Sequence, residues 1–161
     1  MNGTAALLSV QKPAALDAIL RGGTLCGALD IAAAFSVYGY FGLKPVRLLQ
    51  GIASGLLGTR AFSGGIATAV LGLCLHFFIA FTATTIYVLL SRWVSWLIQH
   101  AYVSGALFAV AVYYFMQYIV IPLSAATRRP FSLKMTFIGV VIHIFCVGLP
   151  ISLTARRYLH T

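Results

Sequence analysis

Acidic residues are nearly absent from this chain. Its 161 residues include only two, Asp17 and Asp30, against eleven lysines and arginines. Charged residues make up 8% of the chain and hydrophobic residues 61%, whereas soluble domains have roughly a quarter and roughly half. This composition excludes an ordinary soluble domain and predicts an integral membrane protein.

Cysteine is also scarce, and the features of several functional classes are missing. Cys26, Cys74 and Cys146 have no C-x-x-C spacing, which excludes a disulfide framework and indicates small packing residues. No nucleophile motif surrounds any serine, so we do not expect an enzyme. The net charge of +9 comes without a long basic run or a stacking platform, so we do not expect nucleic acid as a partner.

What the sequence does contain is four long apolar runs. Because a helix needs about 20 apolar residues to cross the hydrocarbon of a membrane, we predict spans at residues 19–41, 65–90, 101–123 and 133–155. These runs nearly fill the chain and leave no room for a soluble domain. The predicted fold is all-α, a four-helix transmembrane bundle that forms a single domain over residues 1–161.

The longest connection, between the first two spans, has a pattern of its own. Pro45 suits a helix start. An apolar face of Val46, Leu49, Ala53 and Leu56 and a polar face of Arg47, Gln50 and Ser54 then alternate at helical spacing. We predict a short amphipathic helix in the membrane interface, with a re-entrant hairpin as the alternative. Three glycines, Gly51, Gly55 and Gly58, are expected to let it pack tightly on the bundle.

Basic residues and tryptophans cluster near the predicted ends of the spans. We expect these residues to anchor the protein in a lipid bilayer with anionic headgroups: Arg47, Arg60, Trp93, Trp96, Arg128, Arg129, Arg156 and Arg157. Five lysines and arginines fall on one side of the membrane and six on the other, so their distribution does not orient the chain. Insertion in both orientations and assembly into a homo-oligomer stay open.

Three ionisable residues are predicted to lie near the middle of the bilayer. Asp30 is about 11 residues into the first span, which at ~1.5 Å per residue is about 16 Å deep, and His76 and His143 reach a similar depth. Tyr113 and Gln117 continue an i, i+4 line of small residues on the third span. The sequence therefore predicts a buried polar cluster of Asp30, His76, His143, Tyr113 and Gln117.

This cluster has three interpretations. An ionised carboxylate at the bilayer centre costs about 2.5–3.5 kcal/mol, so Asp30 should be protonated or paired. Interhelical hydrogen bonds that only fix packing would accommodate it, as would proton- or cation-linked transport with Asp30 titrating and the histidines relaying. The third interpretation is a bis-histidine haem or a metal site, with His76, His143, Asp30 and Cys146 as candidate ligands. Among functional roles we favour transport, and the expectation is that no cofactor is bound.

Four segments give the chain a resemblance. Residues 25–34 with the embedded Asp30, LLQGIASGLLGTRAFSGG at 48–65, GLCLHFFIAF at 72–81 and YIVIPLSA at 118–125 together resemble a family of small bacterial inner-membrane proteins of unknown function. The stretch at 50–58 is its most specific part. The resemblance implies a four-helix protein of the bacterial cytoplasmic membrane, and it implies no activity, cofactor or catalytic residue.

Overall fold

The computed structural model describes residues 3–127 and 131–159, with side chains from residue 14 onward. Two of the expected anchors, Arg128 and Arg129, lie outside the described residues. The described part of the chain contains eight α-helices and no strand: α1 (Gly3–Tyr40), α2 (Pro45–Leu57), α3 (Gly65–Ser91), α4 (Trp96–Gln99), α5 (Ala101–Phe115), α6 (Ile121–Leu123), α7 (Leu133–Ile142) and α8 (Leu149–Leu159). A 3-10 turn, Gly58–Phe62, follows α2.

Four segments are long and apolar enough to cross a membrane: Ala14–Tyr40, Gly65–Ser91, Ala101–Leu123 and Leu133–Leu159. The predicted all-α fold with four spans is therefore confirmed, and the chain has the architecture of a multi-pass membrane protein. The helix of the first span starts before the predicted residue 19, and the helix of the last span continues past the predicted residue 155. Both helices continue past the apolar run because backbone hydrogen bonding does not stop where charged side chains begin.

The third and fourth spans each contain a π-helical turn. One covers Met116–Val120 and the other His143–Gly148, and each ends two residues before a proline, Pro122 or Pro150. Proline lacks the backbone N–H of a regular helix, and its ring crowds the carbonyl four residues earlier. A widened turn moves that carbonyl away from the ring, so the two prolines account for the position of both turns.

Small residues set the close helix crossings. On α1, Gly23 lies under the ring of Phe81 and Gly27 under the ring of Phe77, both on α3. On α5, Gly105 meets the backbone of Gly148 in the second π-helical turn. Without a hydrophobic driving force between helices in lipid, such close contacts provide much of the association energy.

The short helix α2 exists as predicted, and its buried face is partly polar. It buries Leu48, Ala53 and the polar Gln50 and Ser54, while Val46, Leu56 and Leu57 are exposed. In a membrane this arrangement is favourable, because polar groups are satisfied inside the protein and apolar side chains face lipid.

Gln50 shows how the buried polar side chains of α2 are stabilised. Its side-chain amide donates to the Gly65 carbonyl at 2.9 Å, and Arg47 donates to the Phe62 carbonyl at 3.2 Å. These bonds fix α2 against the start of α3. The close contact is made by Gly72 of α3, where a methyl group would overlap the carbonyl of Leu49, whereas Gly51 faces open space. The expectation that Gly51 permits tight packing is therefore wrong.

Replacing Gly72 with alanine should destabilise the protein by about 1–3 kcal/mol, because the added methyl group forces the α2 backbone outward. Gly51→Ala is the matched control on the facing helix. It should be neutral or stabilising by up to about 1 kcal/mol, since alanine favours the helix. The free energy of unfolding in mixed detergent micelles measures both, and equal effects of the two variants would contradict this packing.

Candidate functional site

Four of the predicted polar residues share one depth in the bundle. Asp30, His76, Tyr113 and His143 each lie ten or eleven residues from the same end of their spans, which is ~15–16 Å along a helix. Two contacts place those ends together. The Ala125 amide donates to the Gly55 carbonyl at 2.9 Å, and the Lys134 ammonium lies 5.5 Å from the centre of the Phe41 ring.

His76 links α3 to α1 one turn before Asp30. Its Nε2 is 2.9 Å from the Gly27 carbonyl oxygen. A carbonyl only accepts hydrogen bonds, so Nε2 carries the proton and, in the neutral ring, Nδ1 keeps its lone pair. The absence of a side chain at Gly27 leaves room for the Phe77 ring, which packs edge-on against the imidazole with centroids 5.6 Å apart.

Asp30 itself is half-buried on α1. Among the described residues its carboxylate has no hydrogen bond and no ion pair. It does act electrostatically on two thiols, that of Cys26 one turn earlier and that of Cys146 in the second π-helical turn. Asp30 therefore faces the fourth span, close to two weakly polar groups and to no cation.

His143 and Tyr113 form a second pair. Their rings meet edge-on with centroids 5.2 Å apart. His143 Nδ1 donates to the carbonyl of Gly139 on its own helix at 2.9 Å. Tyr113 lies over Gly139, where a side chain would displace it. The pair fixes the third span against the fourth at the depth of Asp30.

The predicted cluster is thus arranged as two contacts on either side of Asp30. Within residues 3–127 and 131–159, no hydrogen bond or ion pair joins Asp30 to either histidine. The link between the two halves is Cys146, which lies three residues after His143. Gln117 is exposed instead of facing the interior, because the first π-helical turn begins at Met116 and breaks the i, i+4 line that leads to it.

No metal centre is assembled in the described part of the chain. It contains no group of three or more histidine, cysteine, aspartate or glutamate side chains that could hold an ion. The candidate ligands His76, His143, Asp30 and Cys146 are therefore not gathered into such a group. Each histidine also commits one ring nitrogen to a backbone carbonyl.

The expected anchors that the structure describes lie at the ends of the spans. Trp93 is 88% exposed, and the Trp96 ring stacks on His100 with centroids 5.2 Å apart. Arg60 and Arg157 are exposed, and Arg156 is half-buried. These positions suit contact with headgroups at the two surfaces.

A second buried polar network, which the sequence interpretation missed, lies toward the opposite end of the bundle. The Tyr87 hydroxyl is 3.0 Å from the Leu97 carbonyl and 2.8 Å from the Ser104 hydroxyl, which itself donates to the Leu97 carbonyl at 2.8 Å. Tyr87 is completely buried and Ser104 is nearly so. The network ties α3, α4 and α5 together through neutral groups whose hydrogen bonds are satisfied. The sequence could have indicated this network, because Tyr87, Leu97 and Ser104 all lie within a few turns of the same membrane surface.

Comparison of the chain with protein-family models, curated proteins and solved structures finds no match. The arrangement of Asp30, His76, Tyr113 and His143 therefore has to be interpreted from its own chemistry.

Tyr87→Phe should lower the free energy of unfolding by about 1–2 kcal/mol, because the Leu97 carbonyl and the Ser104 hydroxyl each lose a partner in a dry environment. Tyr102→Phe is the control, since Tyr102 is 63% exposed at the start of α5. Unfolding in mixed micelles should separate the two variants. Equal stability of the two proteins would show that the network contributes nothing.

Proposed function

We propose that this multi-pass membrane protein couples the movement of a small cation or solute to proton binding at Asp30. The observation that carries the proposal is the state of that carboxylate. It is half-buried near the middle of its span, and among the described residues it has no hydrogen bond or ion pair. Ionisable groups inside a membrane are costly and are functional candidates for that reason.

The buried polar groups elsewhere in the bundle support this assignment by contrast. Gln50 bonds the Gly65 carbonyl, Tyr87 bonds Ser104, and Thr84 donates to the Ala80 carbonyl at 2.8 Å. A polar residue that only fixes packing is expected to have partners of this kind. Asp30 differs from all of them, and a carboxylate without a fixed partner is free to take up and release a proton or to bind a cation in its ionised form.

The neighbouring residues have supporting roles in the proposal. His76 keeps its second ring nitrogen available beside the turn that carries Asp30, and His143 keeps one beside Tyr113. A neutral imidazole with one free ring nitrogen can accept a proton there and release one from the other nitrogen. We assign both histidines to proton exchange between Asp30 and the two surfaces. We also propose the bacterial cytoplasmic membrane as the location, which rests on the resemblance of the segments at 25–34, 48–65, 72–81 and 118–125.

Asp30→Asn should abolish proton flux driven by an imposed sodium or potassium gradient, because the amide cannot titrate. The measurement uses the purified chain in liposomes that contain a trapped pH-sensitive dye. The wild-type protein should acidify or alkalise the lumen when the gradient is applied, and Asp30→Asn should behave like protein-free liposomes. Helical circular dichroism of the same preparation confirms that the variant is folded.

Asp17→Asn is the matched control, since Asp17 is the only other acidic residue and is exposed 13 residues before Asp30 on α1. It should keep the wild-type flux. If Asp30→Asn and Asp17→Asn transport equally well, or if the wild-type protein shows no flux with either ion, proton coupling at Asp30 is wrong and Asp30 is a packing residue.

A further inference from the structure

A groove opens between the first and fourth spans at one end of the bundle. Its volume is about 340 Å³, within the range of small-ligand sites. The groove exists because α1 packs on α8 and on the second π-helical turn but makes little contact with α7. The two helices thus diverge toward the surface at which α1 ends. The residues that line the groove are Ser36, Val37, Tyr40, Phe41, Lys134 and Ile138.

The groove combines an apolar interior with one positive charge. Val37, Phe41 and Ile138 supply most of its wall, and Lys134 is its only charged lining residue. The Lys134 ammonium lies 5.5 Å from the centre of the Phe41 ring, a cation–π contact that holds the charge across the opening. Lys134 is also in the first turn of a helix that continues to Leu159, so the positive end of the helix dipole lies beside it.

The protein provides no counter-charge for Lys134. The only two acidic residues are Asp30, ten residues before Tyr40 and thus ~15 Å below this end of α1, and Asp17, which is ~35 Å away. Lys44, just beyond the end of α1, adds a second positive charge at the same surface. An anion from outside the chain therefore has no competitor at the mouth of the groove.

We propose that this groove binds one anionic phospholipid, with an acyl chain along Val37, Phe41 and Ile138 and the headgroup phosphate at Lys134. An amphipathic anion fits both features, whereas a free phosphate would leave the apolar wall uncovered and a zwitterionic lipid brings a phosphate whose charge its own ammonium already balances. The site does not depend on the proposed function, because it requires no titration of Asp30. It adds a specific lipid position to the general contact between basic residues and headgroups.

The test uses the full chain purified in detergent and titrated with phosphatidylglycerol or phosphatidylcholine, with bound lipid counted by native mass spectrometry. The wild-type protein should retain one phosphatidylglycerol in preference to phosphatidylcholine. Lys134→Gln should weaken phosphatidylglycerol retention about fivefold and leave phosphatidylcholine unchanged. Lys44→Gln, at the same surface but outside the groove, should have a smaller effect. Equal losses in the two variants, or no headgroup preference in the wild-type protein, would refute the site.

A second variant separates the groove from its charge. Ile138→Trp fills the groove and keeps Lys134, so it should lose the retained lipid whichever headgroup is offered. A phosphatidylglycerol with a photoactivatable acyl chain provides a readout on the unaltered protein. Its crosslinks should map to residues 36–41 and 134–138. Crosslinks spread evenly over the spans, or lipid retention unaffected by Ile138→Trp, would overturn the proposal, as would crosslinks between two copies of the chain at these residues.

Discussion

The hydrocarbon core of a membrane offers no water to polar groups, and the arrangement of this bundle follows from that constraint. Buried polar side chains in the described structure are tied to partners, as Tyr87 is to Ser104 and Gln50 is to the Gly65 carbonyl. Even the short helix α2 obeys the rule, since its Gln50 and Ser54 turn inward. Against this background Asp30 is the exception, since its half-buried carboxylate has no hydrogen bond or ion pair among the described residues.

Backbone geometry decides which side chains meet Asp30. The second π-helical turn, His143–Gly148, places Cys146 within electrostatic reach of the carboxylate, and it begins at the histidine that packs on Tyr113. The same turn ends at Gly148, which lies against Gly105 on α5. The second π-helical turn thus carries candidate site residues at one end and a close helix crossing at the other. It therefore couples the packing of the bundle to the surroundings of Asp30.

The sequence predicted the four spans and the common depth of Asp30, His76 and His143, because hydropathy and helical rise determine both. It could not predict the exposure of Gln117, since an i, i+4 line presumes an uninterrupted α-helix and the π-helical turn at Met116 shifts the register. It left the inner face of α2 unassigned because amphipathicity indicates two faces but not which of them meets lipid. The Tyr87 network was missed because its members are neutral and lie on three different helices.

The scarcity of acidic residues bears both on Asp30 and on the cations at the ends of the spans. If Asp30 served to neutralise a buried cation, a lysine or arginine would be expected at its depth, yet Lys44, Arg47 and Lys134 all lie near the ends of the spans. Cations at the ends of spans can take their counter-charge from lipid headgroups. The one carboxylate near the middle of its span is therefore not consumed by charge balance among the described residues, and a carboxylate at the bilayer centre costs about 2.5–3.5 kcal/mol in its ionised form.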